Sequence, residues 1–214
     1  MANKGYTTEA IIESYLGETF NATSVPTSNI VTTMVGWAER LVDDYTDASF
    51  VPVTISSTII DSDGFNKFFL EHKPVRAVAS FWVDNESLGG TSTDWELRTE
   101  GRTNSNDFVL DKGAGMLYFH TDVPRAGTKM VKVTYTHGYA SVPADVQKLT
   151  TLLVSREIIR GRLADNLYSS QDSIQVGPIT ITKAGSQGTS SVAQLDMEIA
   201  EAWKAVGRFK SRLW

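Results

Sequence analysis

The sequence lacks cysteine and has only three histidines among 214 residues. Without a thiol the chain can form neither a disulfide nor a thiolate metal site. The histidines, His72, His120 and His137, do not stand at HxxxH or HExxH spacing, so the sequence predicts no metal site. It also has no run of about 18 apolar residues, the minimum for a membrane-spanning helix. We therefore expect no cofactor, no metal and no membrane association.

Basic residues are also few, because 20 Lys and Arg face 25 Asp and Glu, which gives a net charge of −5. An acidic chain is poorly suited to broad nucleic-acid binding, which depends on a basic surface. The N-terminal stretch MANKGYTTEA contains no apolar signal segment, so we expect the chain to stay in the cytoplasm of the cell that makes it. A hydrophobic content of 41% can bury a core for one large domain or two small ones.

Motifs for catalysis are absent as well. The sequence contains neither G-x-S-x-G nor a P-loop. Asp61-x-Asp63 lacks the later ligands of a calcium loop and predicts a hairpin turn, as does Gly113-Ala-Gly115. A catalytic carboxylate pair remains an alternative among the 25 Asp and Glu residues, but nothing in the sequence distinguishes one such pair from the others. We predict that the protein is not an enzyme and has no catalytic residue.

Hydrophobic periodicity divides the chain into helical and sheet parts. A short helix is predicted up to Leu16, and a second over 29–45. Apolar residues of the second helix form one stripe, which we expect in the core: Ile30, Met34, Trp37, Ala38, Leu41 and Tyr45. From Phe50 the period changes to two, and about seven short strands follow at hairpin spacing.

The stretch Val131–Val146, VKVTYTHGYASVPADV, connects these parts. It predicts a strand that ends at Gly138, then a tight corner, then a long helix with Pro143 at its first turn. Apolar residues lie nearly all round this helix, so we expect it to be central in a bundle and to end near Gly161. We predict that Gly138 and Pro143 form a structural corner that sets the angle between sheet and helix.

The predicted fold class is α+β. It combines a helical bundle, an inserted antiparallel β-sheet or small β-sandwich, and a C-terminal helix after a flexible spacer. The expected segments are 1–49 (N-terminal helices), 50–138 (β insertion), 139–162 (central helix), 163–191 (extended spacer with a possible strand at 176–182) and 192–214 (C-terminal helix).

Two blocks of this sequence resemble a known family. YTHGYASVPADVQ, preceded by HKPVRAVASFWVD, is similar to the head–tail connector (adaptor) proteins of tailed phages, over roughly residues 5–160. The resemblance implies a virion protein of the neck that forms a dodecameric ring on the portal protein and extends the DNA channel. It also implies a head-closure or tail-terminator protein as the next partner, with assembly in the host cytoplasm. DNA would pass the ring without specific binding.

The C-terminal helix carries our predicted partner-binding residues. Its apolar stripe contains Trp203, and the chain ends on Phe209, Arg212 and Trp214, a mixture of aromatic and arginine side chains that is typical of interface anchors. We expect these four residues to bind the portal or neighbouring subunits. The alternative is that the stripe, Val192, Leu195, Ile199, Trp203, Val206 and Leu213, closes onto the central helix of its own chain.

A second function class fits the β-rich half. Such a sheet could recognise sugar or peptide through exposed aromatic residues, with Trp82, Tyr118 and Phe119 as candidates. A hydrolase has no positive evidence in the sequence.

Overall fold

The computed structural model describes residues 3–84, 95–102, 107–120, 122–167, 173–176, 179–182 and 190–210. They form four α-helices, a seven-stranded sheet and a two-stranded sheet, so the predicted α+β class is confirmed. The chain divides into two compact units: Met1–Asp47 with Val142–Trp214, the helical unit, and Ala48–Ser141, the β unit. None of the helices in the described ranges is both long enough and apolar enough to cross a membrane.

The helical unit is built around its longest helix. Its elements are α1 (Glu9–Leu16), α2 (Ser28–Thr46), α3 (Ala144–Leu167), α4 (Ser190–Val206) and a 3₁₀ turn (Gly207–Phe209). The helices α1, α2 and α4 all pack on α3, which buries Val146, Leu149, Leu152, Val154 and Ile158. The α3 helix passes through Gly161 to Leu167, so the predicted end was wrong. An isolated glycine weakens a helix by about 1 kcal/mol but does not end it.

A buried carboxylate fixes the N-terminal segment on α2. Glu39, which is buried, accepts the backbone N–H groups of Lys4, Gly5 and Tyr6 at 2.7, 2.7 and 2.8 Å. One turn further along α2, Asp43 accepts a hydrogen bond from the Tyr6 hydroxyl. A buried charge is tolerated in such a place because several donors satisfy it.

The seven-stranded sheet forms the β unit. Its strands are β1 (Val53–Ser62), β2 (Lys67–Phe69), β3 (Val75–Asp84), β4 (Trp95–Glu100), β5 (Asp107–Asp111), β6 (Met116–Phe119) and β7 (Gly127–His137), in the order β1-β7-β3-β4-β5-β6-β2. The core lies on one face, where the ring of Phe81 is 5.5–5.6 Å from the rings of Phe68, Phe108 and Phe119.

Two expectations about this sheet were wrong. The sheet is mixed, because β4 and β5 pair in parallel at Thr99–Asp107 and Glu100–Phe108. The turn at Asp61–Gly64 is not a hairpin, since β1 and β2 lie at opposite edges of the sheet. Alternation of apolar and polar residues is the same in either strand direction, and turn residues do not determine which strands pair. The turn at Gly113–Gly115 does join a hairpin, β5 with β6.

A second sheet lies within the segment predicted as a spacer. Ser173–Val176 (β8) and Ile179–Thr182 (β9) pair antiparallel, where the sequence predicted at most one strand. The rest of that segment beyond α3, residues 168–172, 177–178 and 183–189, lies outside the described residues.

Candidate functional site

The apolar stripe of α4 packs within its own unit. Leu195, Ile199, Ala202 and Val206 are buried, and α3 is the main helix that α4 contacts. An ion pair between Arg156 of α3 and Asp196 of α4, at 2.7 Å, runs beside this contact. The alternative of packing inside the chain therefore describes Leu195, Ile199 and Val206 of the predicted stripe, and Ala202, which the stripe did not include, is buried beside them.

The end of α4 presents aromatic and basic side chains next to α2. The ring of Trp203 meets the ring of Tyr45 edge-on, with centroids 4.6 Å apart. The Nζ atom of Lys210 lies 3.9 Å from the centre of the same Tyr45 ring, a cation–π contact. Trp203 is half-buried, so part of its ring stays accessible beside Tyr45 and Lys210.

Arg208 ties this end of α4 to the start of α3. Its guanidinium forms an ion pair with Asp145, in the first turn of α3, and lies 4.8 Å from the centre of the Phe209 ring. Phe209 is half-buried. Aromatic rings held in place by neighbouring charges lose little conformational freedom on binding, which favours their use as anchors.

The four predicted anchor residues are only partly described. Trp203 and Phe209 lie at the same end of α4, each in contact with side chains of the helical unit. Arg212 and Trp214 lie outside the described residues, as do the side chain of Val192 and Leu213 of the predicted stripe. The partner-binding role of the four residues stays a prediction.

An exposed apolar ridge on α2 is a feature that the sequence reading placed in the core. We define the α2 ridge as Ile30, Met34, Trp37 and Leu41, of which Met34 is half-buried. Ile30, Trp37 and Leu41 are 47%, 48% and 36% exposed, while Val31, Val35, Ala38 and Val42 on the neighbouring face are buried. The prediction that this stripe lies in the core was therefore wrong for Ile30, Trp37 and Leu41, whereas Ala38 of the same stripe is buried as expected. Periodicity could not find the buried face, because both faces of this helix are apolar.

A groove between α1 and α3 is the second surface feature of the helical unit. We call it the α1–α3 groove; it is lined by Ala10, Ile11, Ser14, Tyr15, Ala144, Gln147, Lys148, Thr151 and Leu152. Burial, and to a smaller extent the nearby Glu198 carboxylate, raises the pKa of Tyr15 above its ordinary value. The Tyr15 side chain lines the groove with a hydroxyl that can donate a hydrogen bond.

The predicted corner residues lie at the ends of β7 and α3. Gly138 follows β7 with φ of +98°, and a Cβ at this position would lie 2.2 Å from the carbonyl oxygen of Val51. Its N–H donates to the carbonyl of Pro74 at 2.8 Å. Pro143 directly precedes α3, and its carbonyl accepts the N–H of Gln147 at 3.0 Å. Only glycine fits at 138, which is a structural requirement.

The aromatic candidates for sugar or peptide binding do not form one exposed platform. Phe119 is buried in the core of the β unit, so its predicted exposure was wrong. Tyr118 meets the ring of His120 edge-on. Trp82 is half-buried, and the Lys132 amine lies 5.7 Å from its ring centre and 5.0 Å from that of Trp95.

The three histidines do not come together in a metal-binding group within the described ranges. His137 stacks on His72, with centroids 4.6 Å apart, while His120 contacts Tyr118. Among the residues that the structure describes, no group of three or more His, Asp or Glu side chains could hold a metal ion. The α2 ridge with the adjoining end of α4, and the α1–α3 groove, are exposed apolar surfaces in the described part of the helical unit.

Comparison with known proteins gives one family. The model of the family "Head completion protein" matches residues 8–156. No curated protein matches the chain. Among solved structures, a chain in the "Neck of empty GTA particle computed with C6 symmetry" has a TM-score of 0.48 and 13% identity, over 100% of this chain and 94% of that chain.

Two further structures give similar values. One is the "Neck of native GTA particle computed with C12 symmetry", with a TM-score of 0.49 and 14% identity over 96% of this chain and 89% of that one. The other is the "Virion of native gene transfer agent (GTA) particle", with 0.48 and 15% over 100% and 95%. None of the three structures is similar enough to carry a functional inference.

The family match covers most of the chain and includes α1, α2, the whole β unit and the first half of α3. The chain belongs to the head completion protein family. This confirms the relationship to phage head–tail connectors that the two sequence blocks predict. The protein is a structural component of the head–tail neck and not an enzyme.

Proposed function

We propose that the protein forms a dodecameric ring below the portal of the phage head, extends the DNA channel there and presents the platform for a head-closure or tail-terminator protein. The observation that carries this proposal is the family match over residues 8–156. A protein that completes a filled head has to hold the vertex through which DNA entered. The virion neck is then its final location, and the host cytoplasm is where it assembles.

The charge of the chain supports a passive channel. Each copy carries a net charge of −5, so a ring of twelve copies would carry about −60. A protein surface binds DNA when its Lys and Arg side chains neutralise phosphates and displace their counterions. Such a surface requires an excess of Lys and Arg. An acidic ring lets DNA pass without holding it.

The exposed apolar surface supports assembly with other chains. Side chains as large as Trp37 rarely stay solvent-exposed in a row unless a partner covers them. The α2 ridge and the end of α4 are such a surface. We propose that Trp203, Phe209, Arg212 and Trp214 anchor the protein to the portal or to neighbouring subunits.

A stop codon early in the gene, in the phage that encodes this protein, tests the function. We expect filled heads and separate tails in the lysate by electron microscopy, and restoration of joined particles when the purified protein is added. A synonymous codon change at the same site is the matched control. Normal numbers of tailed particles from the stop-codon phage would overturn the proposal.

A further inference from the structure

We propose that, in the ring, the α2 ridge of one copy packs into the α1–α3 groove of the next copy. This inference rests on the proposed ring and names the two surfaces that would close it. The partner that covers the ridge is therefore a second copy of this chain.

The ridge has the form that helix packing requires. Its residues follow one another at spacings of four, three and four positions, so they lie in one row along α2. Eleven steps of 1.5 Å along the helix axis separate Ile30 from Leu41, so the row is about 16 Å long. Such a row is a ridge that fits between the side chains of neighbouring helices.

The groove has a matching form. It extends along α3 from Ala144 to Leu152, a rise of about 12 Å. Three of its lining side chains are small, Ala10, Ser14 and Ala144, and leave room for large ones such as Trp37. The large side chains of the ridge would fill the empty space of the groove. Burial of Trp37 and Leu41 there would remove them from water.

The two surfaces offer one pair of opposite charges to this contact, Lys148 and Asp44. Lys148 is the one charged side chain among the described residues that line the groove, and it is exposed. Asp44 is exposed three residues beyond Leu41, at the end of the ridge, in an edge that also contains Arg40. An ammonium facing a carboxylate across subunits fixes register more than it adds affinity.

Ridge and groove share no residue, although both belong to the helical unit. A contact between two different surfaces of identical chains is heterologous and repeats from copy to copy, which gives a ring when the rotation between copies closes and an open filament when it does not. An isologous contact of ridge on ridge would stop at a dimer. The chain therefore carries both halves of a ring-forming contact on one unit.

The lack of cysteine in the chain makes a direct test possible. Two single-cysteine variants, Leu41→Cys on the ridge and Ser14→Cys in the groove, are mixed with the portal protein under conditions in which the wild-type chain assembles, and then oxidised. We expect a disulfide-linked dimer in the mixture of the two variants and none with either variant alone. Glu201→Cys, at an exposed position of α4, replaces Leu41→Cys in the control mixture.

Each other outcome decides the matter. A cross-linked dimer with Leu41→Cys alone would overturn the proposal in favour of a ridge-on-ridge contact. Rings that assemble without any cross-linked dimer would overturn it and leave the portal as the occupant of the ridge. Failure of the wild-type chain to form a ring would overturn the proposed ring as well, which separates the two claims.

Discussion

At Gly138 the backbone has no room for a side chain. The carbonyl oxygen of Val51 lies 2.2 Å from the position that a Cβ would take, and φ is +98°. Here the sequence reading was specific, because a glycine after a strand and before a proline-led helix predicts a backbone angle that other residues avoid. The corner as a means of setting an angle between sheet and helix stays a prediction.

We expect Gly138→Ala to destabilise the protein by about 1–3 kcal/mol from its positive φ, with a further loss from the Val51 contact. Urea unfolding followed by circular dichroism measures the change. Gly161→Ala is the matched control, since no atom apart from the adjoining backbone of its own helix lies within 4 Å of the added methyl group and Ala favours a helix by about 1 kcal/mol. Equal midpoints for both variants would contradict the strain at Gly138.

Other residue-level features could not be read from the sequence. Glu39 lies on α2, yet its carboxylate binds backbone groups 33–35 positions away. No local pattern marks such a partner, because the contact depends on how two separate segments fold together. In the same way, Phe119 and Tyr118 alternate along one strand, and only the fold shows which of them is buried.

At the scale of elements, periodicity predicted whether a segment is a helix or a strand. It did not predict which face of the element is buried. The bounds of α2 were predicted within one residue at each end, but its outward face was taken as the inward one. Two apolar faces next to each other on one helix give a single broad stripe, and hydrophobicity alone does not divide it. One face of α2 packs on the protein's own helices, and the other face stays exposed.

The α4 helix should contribute to the stability of the helical unit through its buried face. Leu195 is 2% exposed, so we expect Leu195→Ala to lower the free energy of unfolding by about 2–5 kcal/mol. Met197, on the same helix, is 62% exposed, and Met197→Ala should change the stability by less than about 0.5 kcal/mol. Urea unfolding compares the two variants. An unaffected Leu195→Ala variant would mean that α4 does not pack on α3.

The anchor role of the C-terminus can be tested apart from the packing of α4. Removal of residues 211–214 deletes Arg212 and Trp214 and keeps all of α4. We expect circular dichroism and the unfolding midpoint to stay unchanged, while portal affinity falls by about 2 kcal/mol, roughly 30-fold, because a central aromatic anchor is lost. Replacing the last four residues by Gly and Ser controls for chain length. Portal binding at full affinity would exclude the two deleted residues as anchors.

At the scale of the whole molecule, two compact units share the tasks of a neck protein. The helical unit contains the ridge, the groove and the end of α4, the surfaces proposed here for assembly. The β unit has its own core around Phe81 and a mixed sheet with edge strands β1 and β2. Composition excluded thiol chemistry, and the blocks around Val75 and Gly138 indicated the family. Which apolar residues stay exposed depends on packing, and so it required the structure.

The central claim is that this chain assembles into a ring on the portal. The most direct test is cryo-electron microscopy of the purified portal protein mixed with the wild-type chain, with the portal alone as control. The account predicts a continuous ring of copies on one face of the portal. The ring would have the same rotational symmetry around the channel axis as the portal itself. Portal particles without added density, in the presence of folded protein in excess, would contradict it.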